Sequence, residues 1–124
     1  MNEVMNLLQK ARVTLQAAQV LFDTGFFEDC ISRAYYAVFH AAQAALLNEG
    51  ITPKTHSGTH SLFDDHFVKR DRLPRNVART LRQAYNARQL ADYGLEASLS
   101  RETAEQVLKD AAIFLEHVAS MISS

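Results

Sequence analysis

The sequence predicts an all-α fold: an up-and-down antiparallel bundle of four long helices with one additional short helix, in a single domain spanning residues 1–124. Three observations carry this. Apolar residues recur at the three-and-four spacing of a helix through each long segment, and nowhere alternate as a half-buried strand would. The two prolines (Pro53, Pro74) and four glycines (Gly25, Gly50, Gly58, Gly94) fall between those segments. At 124 residues the chain is long enough for one adequate core.

The first helix is expected from Glu3 to Asp23, with Val4, Leu7, Leu8, Ala11, Leu15, Ala18 and Phe22 on its apolar stripe and Gly25 as its C-terminal stop. The second starts at Phe27 or Glu28 and runs to about Asn48, where Gly50 stops it. Their short connection makes them antiparallel neighbours. Between Ile51 and Arg72 the pattern weakens to a loop with a short helix from about Thr59 to Val68. Pro74 suits a helix start, and the next helix runs from there to about Tyr93, with Gly94 as C-cap. Ser100 is a good N-cap for the last helix, which buries Ala104, Val107, Leu108, Ala111, Leu115, Val118 and Ile122.

Composition narrows the function classes. The net charge of −1 argues against nucleic-acid binding by bulk charge, yet charge distribution matters more than its sum. Seven of the thirteen Lys and Arg residues fall between Lys69 and Arg88, where Asp71 is the only acid. No apolar run approaches the roughly 18 residues a membrane span needs, and the N-terminal stretch lacks a signal-peptide layout. The single cysteine, Cys30, excludes an internal disulfide. A cytoplasmic protein without a membrane partner is expected.

The second helix is the most informative stretch. Twelve of the sixteen residues of Ile31–Leu46 are apolar or aromatic, and the exceptions are Ser32, Arg33, His40 and Gln43. At 100° per residue, with Arg33 at zero, His40 lies at about −20°, Tyr36 at −60°, Gln43 at −80° and Ser32 at −100°. All the polar groups of a nearly all-apolar helix thus share one arc, which is either its narrow window on water or a site. In a cleft, Arg33 could hold a phosphate and His40 could move a proton, with Tyr36 between them. The competing possibility is an ion pair within the helix, Asp29 to Arg33, with His40 bonded inside the bundle.

Three further constellations stand out. Arg88 falls on the inward stripe of its helix, where an arginine needs a partner; Asp92 four residues on supplies one, either as a structural pair or completing the Arg33–His40 cleft. Arg75, Arg79 and Arg82 share an outward stripe that could position phosphates or simply face solvent. His56 and His60 stand four apart, as metal ligands on a helix do, but no HExxH arrangement follows and Gly58 interrupts the pair. His66 adds no ligand pattern, so no metal and no cofactor is expected, and no nucleotide loop or nucleophile elbow is present.

The run SRAYYAVFHAAQAALL, followed by Gly50, KTHSGTH and the helix end RQLADY, resembles the stand-alone bacterial and archaeal HEPN proteins over nearly the whole chain. The resemblance implies an α-helical bundle that forms a homodimer, in many members encoded beside a minimal nucleotidyltransferase in a toxin–antitoxin-like pair. Active members are metal-independent endoribonucleases with an arginine–histidine motif in the dimer cleft. That motif maps onto Arg33 and His40, with six residues intervening, the upper limit of the family spacing, and with Ala34 where a polar residue often follows the arginine. The resemblance implies action on RNA or nucleotides, with cleavage at Arg33 and His40, and the helical arc adds Tyr36 to orient the substrate. The alternative it leaves is a non-catalytic nucleotide- or partner-binding subunit of the nucleotidyltransferase.

Overall fold

The computed structural model describes residues 2–93 and 101–123. Its elements are α1 (Glu3–Asp23), α2 (Phe27–Asn48), α3 (His56–Phe63), a π-helical turn (Asp64–Val68), α4 (Arg75–Ala78), α5 (Thr80–Asp92) and α6 (Arg101–Ser123), with no strand among the described residues. The expected C-cap Gly94 and N-cap Ser100 lie outside the described residues.

Helix α2 is the axis of the bundle, packed against α1, α5 and α6. Its alanines explain how. Ala34, Ala37, Ala41, Ala42, Ala44 and Ala45 are all buried, in one core with other small residues such as Ala11 and Ala18 of α1 and Ala104 and Ala111 of α6. Small side chains let helix backbones approach closely, so one helix can be covered on several sides. Larger residues complete the core: Leu8, Phe22, Leu46, Phe63, Phe67 and Phe114.

Both expected helix stops are present. Gly25 (φ +86°) and Gly50 (φ +78°) adopt the left-handed conformation. In each case the following amide reaches back five residues, Phe26 N–H to the Leu21 carbonyl and Ile51 N–H to the Leu46 carbonyl, satisfying groups a helix end leaves orphaned.

The middle of the chain departs from expectation in two places. The short helix begins at His56, not Thr59, and Gly58 lies inside it. Thr55 is its N-cap: the Thr55 hydroxyl accepts from the Gly58 N–H at 2.9 Å. A Cβ on Gly58 would sit 2.8 Å from that same oxygen. The glycine that reads as an interruption is therefore what lets the cap close over the first turn. The expected single helix after Pro74 is split at Arg79 into α4 and α5. The Thr80 hydroxyl lies 3.4 Å from the Asn76 carbonyl, a back-bond of the kind that competes with the helix ladder and bends it.

Candidate functional site

Helix α2 presents a single window. Between Cys30 and Leu46 every residue is buried except Ser32, Arg33, Tyr36, His40 and Gln43, the five that helical rotation places on one arc. Arg33 is exposed and the other four are half-buried. The expected alternative partner does not engage: among the described residues Arg33 has no ion pair, with Asp29 or any other carboxylate.

His40 Nδ1 lies 3.1 Å from Gln43 Oε1. An amide oxygen only accepts, so Nδ1 carries the proton and Nε2 keeps its lone pair. Burial, and then the charges of Lys10 and Arg33, hold the imidazole below its ordinary pKa, against the opposing pull of the Gln43 bond. The result is a neutral imidazole with a free basic nitrogen beside an unpaired guanidinium.

Tyr36 connects this window to α5. Its ring centroid is 6.4 Å from that of His40, and the Arg88 guanidinium carbon sits 5.1 Å from the Tyr36 ring and 5.6 Å from the Tyr35 ring. Arg88 pairs with Asp92 at 3.4 Å, as the four-residue spacing predicts. The pair leaves something over, because Arg88 Nε is buried without a hydrogen-bond partner, a state that costs a charged donor about 1–3 kcal/mol or more. Arg88 therefore joins the window through Tyr36, while Asp92 stays on its exposed edge.

The basic stripe is only partly assembled. Arg75, Arg79 and Arg82 are all exposed, but the break at Arg79 leaves Arg75 on the separate α4 turn. Arg79 and Arg82 both border His60. Nearby charges are neutralised, Arg72 by Glu49 at 3.0 Å and Lys69 by Asp65 at 3.1 Å.

A second constellation escaped the sequence. Tyr35 is fully buried, yet its hydroxyl meets His60 Nε2 at 2.8 Å and His56 Nε2 at 2.5 Å. A phenol donates one proton, so one imidazole accepts it and the other donates its own N–H to the phenol oxygen. His56 stacks on Phe39 with centroids 4.1 Å apart, and Tyr85 closes edge-on over His60 at 5.0 Å. Burial, then Arg82 and His56, push His60 down to about 4. Burial and then Arg88 lower His56, and burial raises the Tyr35 phenol. The one available signal was that a tyrosine on the buried side of a helix needs a hydrogen-bond partner, with two histidines at helical spacing downstream. His66 does not join them; it lies toward Glu49 instead. Among the described residues no three His, Cys, Asp or Glu side chains converge as a metal site.

The HEPN domain profile matches residues 4–121, nearly the whole chain. The chain belongs to the HEPN domain family. Two Methanocaldococcus jannaschii proteins, each named "Putative toxin", are 34% identical over 122 and 116 residues, covering 98% and 94% of this chain and 83% and 86% of their own length. A Gloeobacter violaceus protein named UPF0332 is 38% identical over 115 residues, covering 92% of this chain and 91% of its own. The HEPN bundle here has no strand among the described residues, and none of its described helices is long and apolar enough to cross a membrane.

Proposed function

We propose that this HEPN protein is a toxin-class homodimer that cleaves RNA at the α2 window. The observation that carries the reading is the set of unspent polar groups there: Arg33 has no carboxylate, His40 keeps Nε2 free, and Arg88 Nε has no partner. Buried or half-buried polar groups are normally satisfied, so a surface that leaves two of them open beside the exposed, unpaired Arg33 suits a charged ligand. The two guanidinium groups favour an anion, and the free lone pair of His40 Nε2 suits a hydroxyl that gives up its proton.

In this reading Arg33 holds the scissile phosphate and Tyr36 orients the nucleotide beside it. The unprotonated His40 Nε2, kept neutral by its surroundings, takes the proton of the adjacent 2′-hydroxyl. The 2′-oxygen bonds to phosphorus, the bond from phosphorus to the 5′-oxygen breaks, and that oxygen leaves with a proton from water. The products are a 2′,3′-cyclic phosphate and a 5′-hydroxyl, with no metal required. The two M. jannaschii toxin names agree with a toxin role.

The test is cleavage of a structured RNA, with and without chelator, by wild type, Arg33→Ala and His40→Ala. Loss of more than a hundredfold in each variant with unchanged helicity is expected, following the usual worth of a positioned acid–base group. Equal cleavage by all three proteins sinks the proposal.

A second reading is favoured by Leu90 and Tyr93, which are 42% and 78% exposed at the end of α5, beside Arg88 and Asp92. That edge would suit a protein partner such as a minimal nucleotidyltransferase, with the window holding its nucleotide and no RNA cleaved. Co-purification with such a partner, lost in a Leu90→Asp variant, together with no nuclease activity would select this reading.

A further inference from the structure

An open groove of about 530 Å³ lies between the start of α3 and α5, lined by Thr55, His56, Ser57, His60, Ser61, Arg82 and Tyr85. The lining supplies imidazoles, hydroxyls and a guanidinium, and no carboxylate. Arg82 is exposed, leans on the Tyr85 ring at 5.7 Å, and has no ion pair among the described residues. The first-turn amides of α3 at His56 and Ser57 add donors, since the Thr55 cap takes only the Gly58 N–H.

The convergence of His56 and His60 on one oxygen invites a metal reading, but the charges oppose it. From α5, Arg82 and Arg88 both act on these imidazoles and the Tyr85 ring covers His60, and from α2 the neutral Tyr35 hydroxyl and the uncharged Tyr36 and Phe39 rings face them. Asp64, which shares the adjoining groove with His60 and Arg79, is already 3.8 Å from Lys69. A cation would enter a positive field with no anionic ligand. An anion would find donors on three sides.

The groove and the α2 window are neighbours. Tyr36 stands edge-on to His56 at 6.3 Å and faces His40 at 6.4 Å, so one aromatic ring separates the two regions. A single strand, advancing a few ångströms per nucleotide, could occupy both at once with a base on Tyr36.

We propose that the His56–His60–Arg82 groove is a phosphate-binding subsite, holding an RNA phosphate a few nucleotides from the one at Arg33 and His40. The identity of the ligand as RNA rests on the reading of the window given above. Occupancy has a built-in proton linkage. Both histidines are held below their ordinary range in the free protein, and a bound phosphate favours their charged forms, so binding takes up protons and tightens as pH falls.

The test uses the full chain with two probes, inorganic phosphate and a fluorescein-labelled single-stranded oligouridine. Phosphate binding is read by histidine ring NMR shifts and oligouridine binding by anisotropy across salt and pH. Arg82 is exposed, so Arg82→Gln should fold normally; His56→Gln gives a second variant. Wild type should bind both probes, with histidine shifts at the groove and tighter binding at pH 5.5 than at 7.5. Arg82→Gln should weaken oligouridine about tenfold and lower the log–log salt slope by about 0.7, the worth of one single-strand phosphate contact. Arg33→Gln should leave phosphate binding at the groove intact.

Oligouridine affinity unchanged in Arg82→Gln overturns the subsite. So does phosphate binding that Arg33→Gln abolishes and Arg82→Gln spares, or Arg82-dependent phosphate binding in a protein to which oligouridine does not bind. RNA binding that depends on Arg82, with cleavage indifferent to Arg33→Ala and His40→Ala, retains the subsite and overturns the catalytic reading instead.

Discussion

Removing one oxygen from the Tyr35 side chain tests the histidine cluster directly. Tyr35→Phe keeps the ring, which is completely buried and packs edge-on to Tyr36 and Tyr85 with centroids 5.2 and 5.7 Å away. It deletes the partner of two imidazole nitrogens. His56 is exposed and can turn to water, so its loss should be small. His60 is only 8% exposed, and its Nε2 is left without a partner in the core, which costs about 1–3 kcal/mol. The expected destabilisation is about 2 kcal/mol, or roughly 6–10 °C in Tm for a domain of this size. Urea denaturation is the assay, and the midpoint should fall with an unchanged m-value. Tyr35→Phe combined with His60→Leu removes both partners, so the double variant should lose clearly less than the sum of the singles. A Tyr35→Phe change within 0.5 kcal/mol of wild type, or strict additivity in the double variant, would refute the reasoning that the Tyr35 hydroxyl satisfies a buried His60 nitrogen.

Two further outcomes follow from the same structure. Stability should fall in acid: His60 is pushed down to about 4 in the folded chain from an ordinary 6.5, so the unfolded chain binds more protons throughout that window. Denaturation from pH 7.5 to 4 should show stability dropping by up to about 3 kcal/mol as pH falls from 6.5 toward 4, and His60→Gln should flatten that slope; a flat wild-type profile would contradict the burial of His60. Asp71 holds φ at +55° where the turn ends, with the Arg72 N–H returning to the Phe67 carbonyl as at the two glycine stops. Asp71→Gly should therefore stabilise by about 0.5–1 kcal/mol, seen as a higher Tm, and a lower Tm would show that the aspartate does something there besides tolerate the turn.

Local physics carried the sequence a long way. The limits of α1 and α2 were legible because apolar spacing and glycine stops act within a few residues, and α2's window was legible because helical rotation depends on nothing beyond the helix itself. The Arg88–Asp92 pair was legible for the same reason, being one turn apart. Gly58 and Arg79 were misjudged because their roles turn on side-chain details, a Thr55 cap and a Thr80 back-bond, that composition alone does not rank.

The sequence by itself determined an all-helical HEPN bundle and one polar arc on its central helix, since both follow from short-range periodicity. Only the tertiary structure decided what surrounds that arc. Tyr35 meets histidines 21 and 25 residues away, and Arg88 leans on Tyr36 from another helix. Contacts of that range depend on where α3 and α5 cross α2, which is set by the packing of the whole alanine-lined core and by no single segment.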